Sequence, residues 1–167
     1  MKTKEIIRSQ YQAAMEMIKQ AITQCPEELW ADTQYENQFW QIAYHALFYT
    51  HLYLQPKEQD FTPWEMHYDN AHRFAPVSSG EGEIGRIFTK RELLDYLEFC
   101  QHEIDEKVAG LDLEGDSGFS WIPFNKHELQ FYNIRHLQHH TGELSERLGT
   151  LAGIDISWVG MMRSDQG

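Results

Sequence analysis

A chain of 167 residues that is 41% hydrophobic has enough material for one continuous core, so a single domain over 1–167 is expected. Lys plus Arg number 14 against 26 Asp plus Glu, and the formal net charge of −12 repels phosphate backbones and anionic headgroups, which argues against nucleic acid and membrane surfaces as partners. Every long apolar stretch is interrupted before the roughly 20 residues a membrane helix needs, and Met1-Lys2-Thr3-Lys4-Glu5 enters an amphipathic pattern with no apolar leader, so a cytoplasmic protein is expected.

The first helical pattern covers residues 4–24, with Ile7, Tyr11, Ala14, Met15, Ile18 and Ile22 on one face, and Pro26 stops it. A second covers residues 37–54, where Phe39, Ile42, Ala43, Ala46, Leu47, Tyr49 and Tyr53 form a wide apolar stripe that ends before Pro56. Residues 55–88 hold Pro63, Pro76, Gly80, Gly82 and Gly85 without sustained periodicity and read as a long connection. Its Phe61, Trp64, Met66, Tyr68 and Phe74 imply packing against the helices, with room for a short helix over 64–73.

Thr89-Lys90-Arg91-Glu92 is a capping box and opens a third helix, whose inner face is Leu93, Leu97, Cys100, Ile104 and Val108 and whose terminator is Gly110. After a second Gly- and Pro-containing connection, Asn125 with Glu128 repeats the capping arrangement and starts a fourth helix that runs to Ala152, with Gly153 suited to a left-handed cap. The tail, residues 154–167, is expected to pack through Ile156, Trp158 and Val159 and to fray at its end. Four amphipathic helices and no alternating strand make an all-α fold: a four-helix bundle, antiparallel with long crossover connections, for which an up-down-down-up order suits the long second connection.

Cys25 and Cys100 stand far apart and read as reduced, core-like thiols. The aromatic share of 13% points to bulky packing or an aromatic-lined pocket. On the fourth helix His136 and His140 stand four residues apart, which sets them about 40° apart on one face, the face of Leu129, Asn133, Leu137, Leu144 and Leu151. His139 falls roughly 100° away from His140, on the flank.

His45 lies at the edge of the apolar stripe of the second helix, where a charged imidazolium is penalised and a metal can take the neutral ring. Three neutral imidazoles, His45, His136 and His140, suit zinc, nickel, iron or copper better than calcium or magnesium, and three ligands leave positions open for water or substrate. Of the remaining histidines, His51 points about 240° from His45 and reads as a surface or loop-contacting residue. His67 and His72 read as solvated loop residues or as a lid over the metal, and His102 and His127 as surface residues. The acidic runs 81–83 and 103–106 read as solvated faces.

The segments Ala43-Tyr44-His45-Ala46-Leu47-Phe48-Tyr49-Thr50 and His136-Leu137-Gln138-His139-His140-Thr141-Gly142-Glu143-Leu144 resemble the DinB/YfiT-like superfamily, whose members are four-helix bundles with one metal-binding His on the second helix and a His-x-x-x-His pair on the fourth. The tail from Gly153 to Gly160 is similar to the closing segment of many members, and the resemblance spans nearly the whole chain. Thr141 stands where that family often has Arg, Glu143 where it often has Gln, and His51 where it often has Asp.

The resemblance implies a divalent transition metal (zinc, nickel or iron), a small-molecule substrate and a homodimer through helix faces. It also implies a thiol S-transferase using a low-molecular-weight thiol on small electrophiles, since characterised relatives use bacillithiol or mycothiol. A metal-dependent hydrolase remains open, with Glu143 as its candidate base, although Glu143 also reads as a surface partner of Arg147 at i, i+4. So does a bundle that binds a ligand or partner without chemistry.

Overall fold

A computed structural model describes residues 2–74 and 86–162 of the chain. The helices in order are α1 (Thr3–Gln24), α2 (Glu27–Trp30), α3 (Phe39–Tyr53), a single 3-10 turn (Glu58–Asp60), α4 (Lys90–Gly110) and α5 (Lys126–Ala152). No strand forms among the described residues; one isolated bridge pairs Asp116 with Asn125. The architecture is all-α, as the periodicity predicts.

The expected signals act where they stand. Thr89 Oγ1 accepts from Glu92 N at 3.2 Å while Glu92 Oε2 accepts from Thr89 N at 2.8 Å, so two otherwise orphaned donors are satisfied at the start of α4. Asn125 Oδ1 accepts from Glu128 N at 2.9 Å and opens α5; Gly153 closes it with φ +65°, a conformation glycine adopts without penalty. The short helix expected over 64–73 is absent. That stretch is a pair of turns closed by His67 N to the Trp64 carbonyl and Ala71 N to the Tyr68 carbonyl, and Asn70 at φ +65° breaks any helical run.

Side-chain bridges between helices fix their directions. Lys4 Nζ donates to the Ala109 carbonyl and Gln12 to that of Gln101, so α1 and α4 run antiparallel. Thr50 pairs with Asn133 and Gln55 with Lys126, so α3 and α5 do too. Tyr11 meets Gln130 and Met17 meets Gln138, which makes α1 and α5 parallel neighbours; Leu47 meets Cys100 and Gln55 meets Glu103, which makes α3 and α4 parallel. The four long helices thus run up, down, down, up in chain order, with two of the neighbouring pairs parallel. The crossover of residues 54–89 produces the α3–α4 pair.

The inner faces expected for α1 and α4 are buried throughout, from Ile7 to Ile22 and from Leu93 to Val108. Each such side chain contributes about 1.5–3 kcal/mol of transfer free energy, so these seams supply stability without polar compromise. α3 differs. Thirteen of its 15 residues are buried, and the two exceptions, His45 and Tyr49, sit one turn apart. A helix covered all round has no solvent side, so any polar group it carries must be met by a neighbour.

Outside the bundle Trp30 of α2 donates its indole N–H to the Phe88 carbonyl at 2.8 Å. In the tail Ile156 is buried and Ser157 N donates to Gln20, whereas Trp158, expected to pack, is exposed. The acidic run 81–83 and the tail's end, 163–167, lie outside the described residues. No helix is long and apolar enough to cross a membrane among the described residues.

Candidate metal centre

His45 of α3 meets His136 and His140 of α5 across the α3–α5 seam, and one ligand nitrogen from each lies within 4.8 Å of the others. His136 Nε2 stands 3.2 Å from His45 Nε2 and 3.1 Å from His140 Nε2. Nitrogens about 2.0–2.1 Å from one ion, at tetrahedral angles, stand about 3.3 Å apart. The spacing therefore fits three ligands of one small cation.

Two of the three rings have their outer nitrogen occupied. His45 Nδ1 donates to the His72 carbonyl at 2.7 Å, and His140 Nδ1 donates to Glu143 Oε2 at 2.5 Å. Each bond fixes the tautomer that leaves Nε2 as a lone pair aimed at the centre, which is how ligand histidines are oriented. A proton on His136 Nε2 could bond only one of the two facing lone pairs. His136 Nδ1 is buried and has no hydrogen-bond partner among the described residues, so the ring gains nothing from its other face. A cation would resolve the convergence by accepting all three lone pairs.

Burial keeps the rings neutral. Desolvation pushes His45 down to about 3 and His136 down to about 4, and lowers His140 against the opposing pull of Glu143. The environment is aromatic: Phe74 stacks on His45 at 4.1 Å, Tyr49 lies edge-on to His136 at 5.4 Å, and Tyr132 lies parallel to His136 at 6.5 Å. No fourth His, Cys, Asp or Glu among the described residues joins this cluster.

The histidine trio of the sequence reading is brought together; its neighbours depart from expectation. Glu143 does not pair with Arg147, whose guanidinium lies over the Tyr35 ring and donates to the Asn37 carbonyl at 2.7 Å. Glu143 instead holds His140 and lies 3.9 Å from the exposed His139. His139, His140 and Glu143 form a second grouping of possible ligand atoms, which shares His140 with the first.

His67 and His72 are packed, not solvated. The His67 ring bonds the Tyr44 hydroxyl at 2.7 Å, and the His72 ring stacks on Phe48 at 4.2 Å while burial pushes it down to about 4. Neither joins the ligand set, although the His72 carbonyl orients His45. A backbone oxygen leaves no signature in a sequence, so this contact could not have been read there.

Of the two readings of His51, the loop contact holds and the surface one does not: it is 3% exposed, beside the Tyr96 hydroxyl and against Phe61 of the 55–88 connection. Within the acidic run 103–106, Glu103 is largely covered and accepts from Gln55 at 3.2 Å. His102 is exposed beside Glu106 as expected, whereas His127 is half-buried. Both cysteines are buried, and burial pushes the Cys25 thiol up to about 12 and the Cys100 thiol up as well, so neither offers a thiolate nucleophile.

Compared with protein-family models, with curated proteins and with solved structures, the chain finds no match in any of the three.

Proposed function

We propose that the chain is a DinB-like, metal-dependent thiol S-transferase acting on small electrophiles, with zinc, nickel or iron on His45, His136 and His140. The observation that carries the reading is the convergence of three neutral imidazole nitrogens with no fourth protein ligand in the cluster among the described residues. Closed structural sites are four-coordinate within the protein, whereas three ligands are the mark of a site that takes an exogenous group. Imidazole sets favour transition metals over calcium or magnesium.

A bound divalent cation supplies Lewis acidity, which favours thiolate over thiol in a small molecule reaching the site. The chain supplies the rest. His72 and Glu143 fix the ring orientations of His45 and His140, and Phe74, Tyr49 and Tyr132 provide an apolar wall that suits an organic electrophile. In the transfer a sulfur–carbon bond forms, the bond from carbon to its leaving group breaks, and the thiol proton departs with that group to solvent. A hydrolase would need a free carboxylate to move the protons of water. Glu143 Oε2 is already taken up by His140, which favours transfer over hydrolysis.

Metal-loaded protein incubated with bacillithiol, or a surrogate thiol, and monochlorobimane tests the reading. Conjugation well above the chelated blank is expected, and Glu143→Gln should leave most of it, because the amide oxygen can still accept from His140. A rate equal to the blank would leave only a bundle that binds a metal, and ester turnover abolished by the same substitution would make it a hydrolase.

A further inference from the structure

The side of α3 turned from the metal centre borders a cleft of about 680 Å3, enclosed by α3, α4 and residues 60–66. That volume lies within the range of sites for small organic ligands. His51 and Glu103 both line it, and Glu103 Oε2 accepts from Gln55 Nε2 at 3.2 Å. His51 Nδ1 is 3.2 Å from the Tyr96 hydroxyl, but His51 Nε2 makes no hydrogen bond among the described residues; Glu103 Oε2 stands 3.9 Å away, beyond bonding distance. That nitrogen is left to accept from a donor placed in the cleft.

Glu103 is also withdrawn, its side chain 13% exposed, with Lys107 Nζ no closer than a loose 3.9 Å. The walls are aromatic. Trp64 stacks on Tyr96 at 4.6 Å, and Phe99, an exposed large apolar residue on α4, lies edge-on to His51 at 5.0 Å. Around them Asp60, Glu65 and Asp95 join Glu103 against the one Lys107. Asp60 and Asp95 are partly answered by Lys57 and Arg91, which leaves Glu103 and Glu65 as the carboxylates of the cleft, with Lys107 loosely opposed to the first.

We propose that this cleft is a second binding site, separate from the metal centre, for a small organic cation whose ammonium group bridges Glu103 and His51 Nε2 while its aryl or alkyl part rests on Trp64 and Phe99. A donor nitrogen about 2.9 Å from both acceptors spans the 3.9 Å gap between them. Aromatic faces beside a carboxylate attract ammonium groups twice, through the ring quadrupole and through the charge. A neutral or anionic ligand of the same shape would leave Glu103 further desolvated with only the Gln55 amide and the loose Lys107 to answer it.

The test uses the metal-loaded full chain, titrated with phenethylammonium, 2-phenylethanol and 3-phenylpropionate by calorimetry or proton NMR. Saturable binding of the ammonium compound is expected, with the alcohol and the carboxylate at least about tenfold weaker. Glu103→Gln should weaken the ammonium compound by a similar factor. Phe99→Ala, at a partly exposed position away from the three imidazoles, should weaken it while leaving the metal content and the far-UV circular dichroism unchanged. The proposal is overturned if the three compounds bind alike, if none saturates, or if Phe99→Ala leaves binding intact. Loss of binding on chelation would also overturn it, by placing the ligand at the metal centre instead.

Discussion

His45 and His51 leave the same helix, are both withdrawn from water and are both held neutral by desolvation, yet they face different seams. Toward α5, His45 meets two further imidazoles whose lone pairs converge with its own. Toward α4, His51 meets a tyrosine and, at a distance, a carboxylate. The residue type and the burial are alike; what differs is the partner each neighbouring helix presents. A buried histidine can serve as a metal ligand only where other acceptors face it; His45 meets that condition and His51 does not.

The largest effect expected from breaking this comparison is on the α5 side. His136→Ala should reduce bound transition metal from about one ion per chain to near zero by elemental analysis, because two imidazoles on separate helices are a poor chelate. The wild-type melting temperature should fall on chelation by about 5–10 °C if metal is present at about one hundred times its dissociation constant, and that of the variant should not move. A His51→Phe chain that lost its metal as well would erase the distinction between the two seams.

Next in size is an acid effect on the α4 side. His51 is lowered from an ordinary 6.5 to about 4, by desolvation first and by Lys107 second. The unfolded chain then takes up a proton before the folded one does. Stability is therefore unaffected above pH 6.5, declines as pH falls from 6.5 to 4, and has lost about 3 kcal/mol from this group below that. His51→Phe should remove this share of the acid loss, seen as a smaller difference between urea midpoints at pH 7 and pH 4.5. An identical difference in both proteins would mean that the ring takes up its proton in the fold as readily as in the unfolded chain.

The smallest effect sharpens the comparison within the metal side. Glu143→Ala removes the carboxylate behind His140 and should weaken metal affinity by about 10- to 100-fold in a chelator competition, with stoichiometry retained. Full loss of metal would promote Glu143 from an orienting residue to a ligand.

The helices were legible because their signals are local: the i, i+3 and i+4 stripes of α1 and α4, the box at Thr89, the cap at Asn125 and the left-handed Gly153 depend on nothing beyond a few residues. Of the trio, the His136 and His140 pair was legible for the same reason, while His45, 91 residues from His136, was joined to it by its apolar surroundings and by the resemblance. The α2 turn was missed because four residues after a proline carry no periodicity. For His51 the loop contact was legible, through Phe61, but its full burial was not; a stripe drawn from one helix does not say that a second helix covers the far side. Glu143 followed the same logic. Its spacing from Arg147 permits an ion pair, but Arg147 is drawn off by Tyr35 and Asn37, which only the folded chain brings near.

The Lys126 ammonium has a consequence for how the imidazoles are held. It is tucked among the carbonyls of Gln55 and Ser117, just beyond the end of α3, while Arg147 grips the Asn37 carbonyl just before its start. α3 is moored to α5 at bow and stern. A slip of one turn, about 5.4 Å, would carry His45 out of reach of His136, and both moorings would have to part first. An ion exchanging at this site would therefore have to pass by swivelling of rings such as His136, whose rear nitrogen is tethered to nothing among the described residues, and not by sliding of the helices.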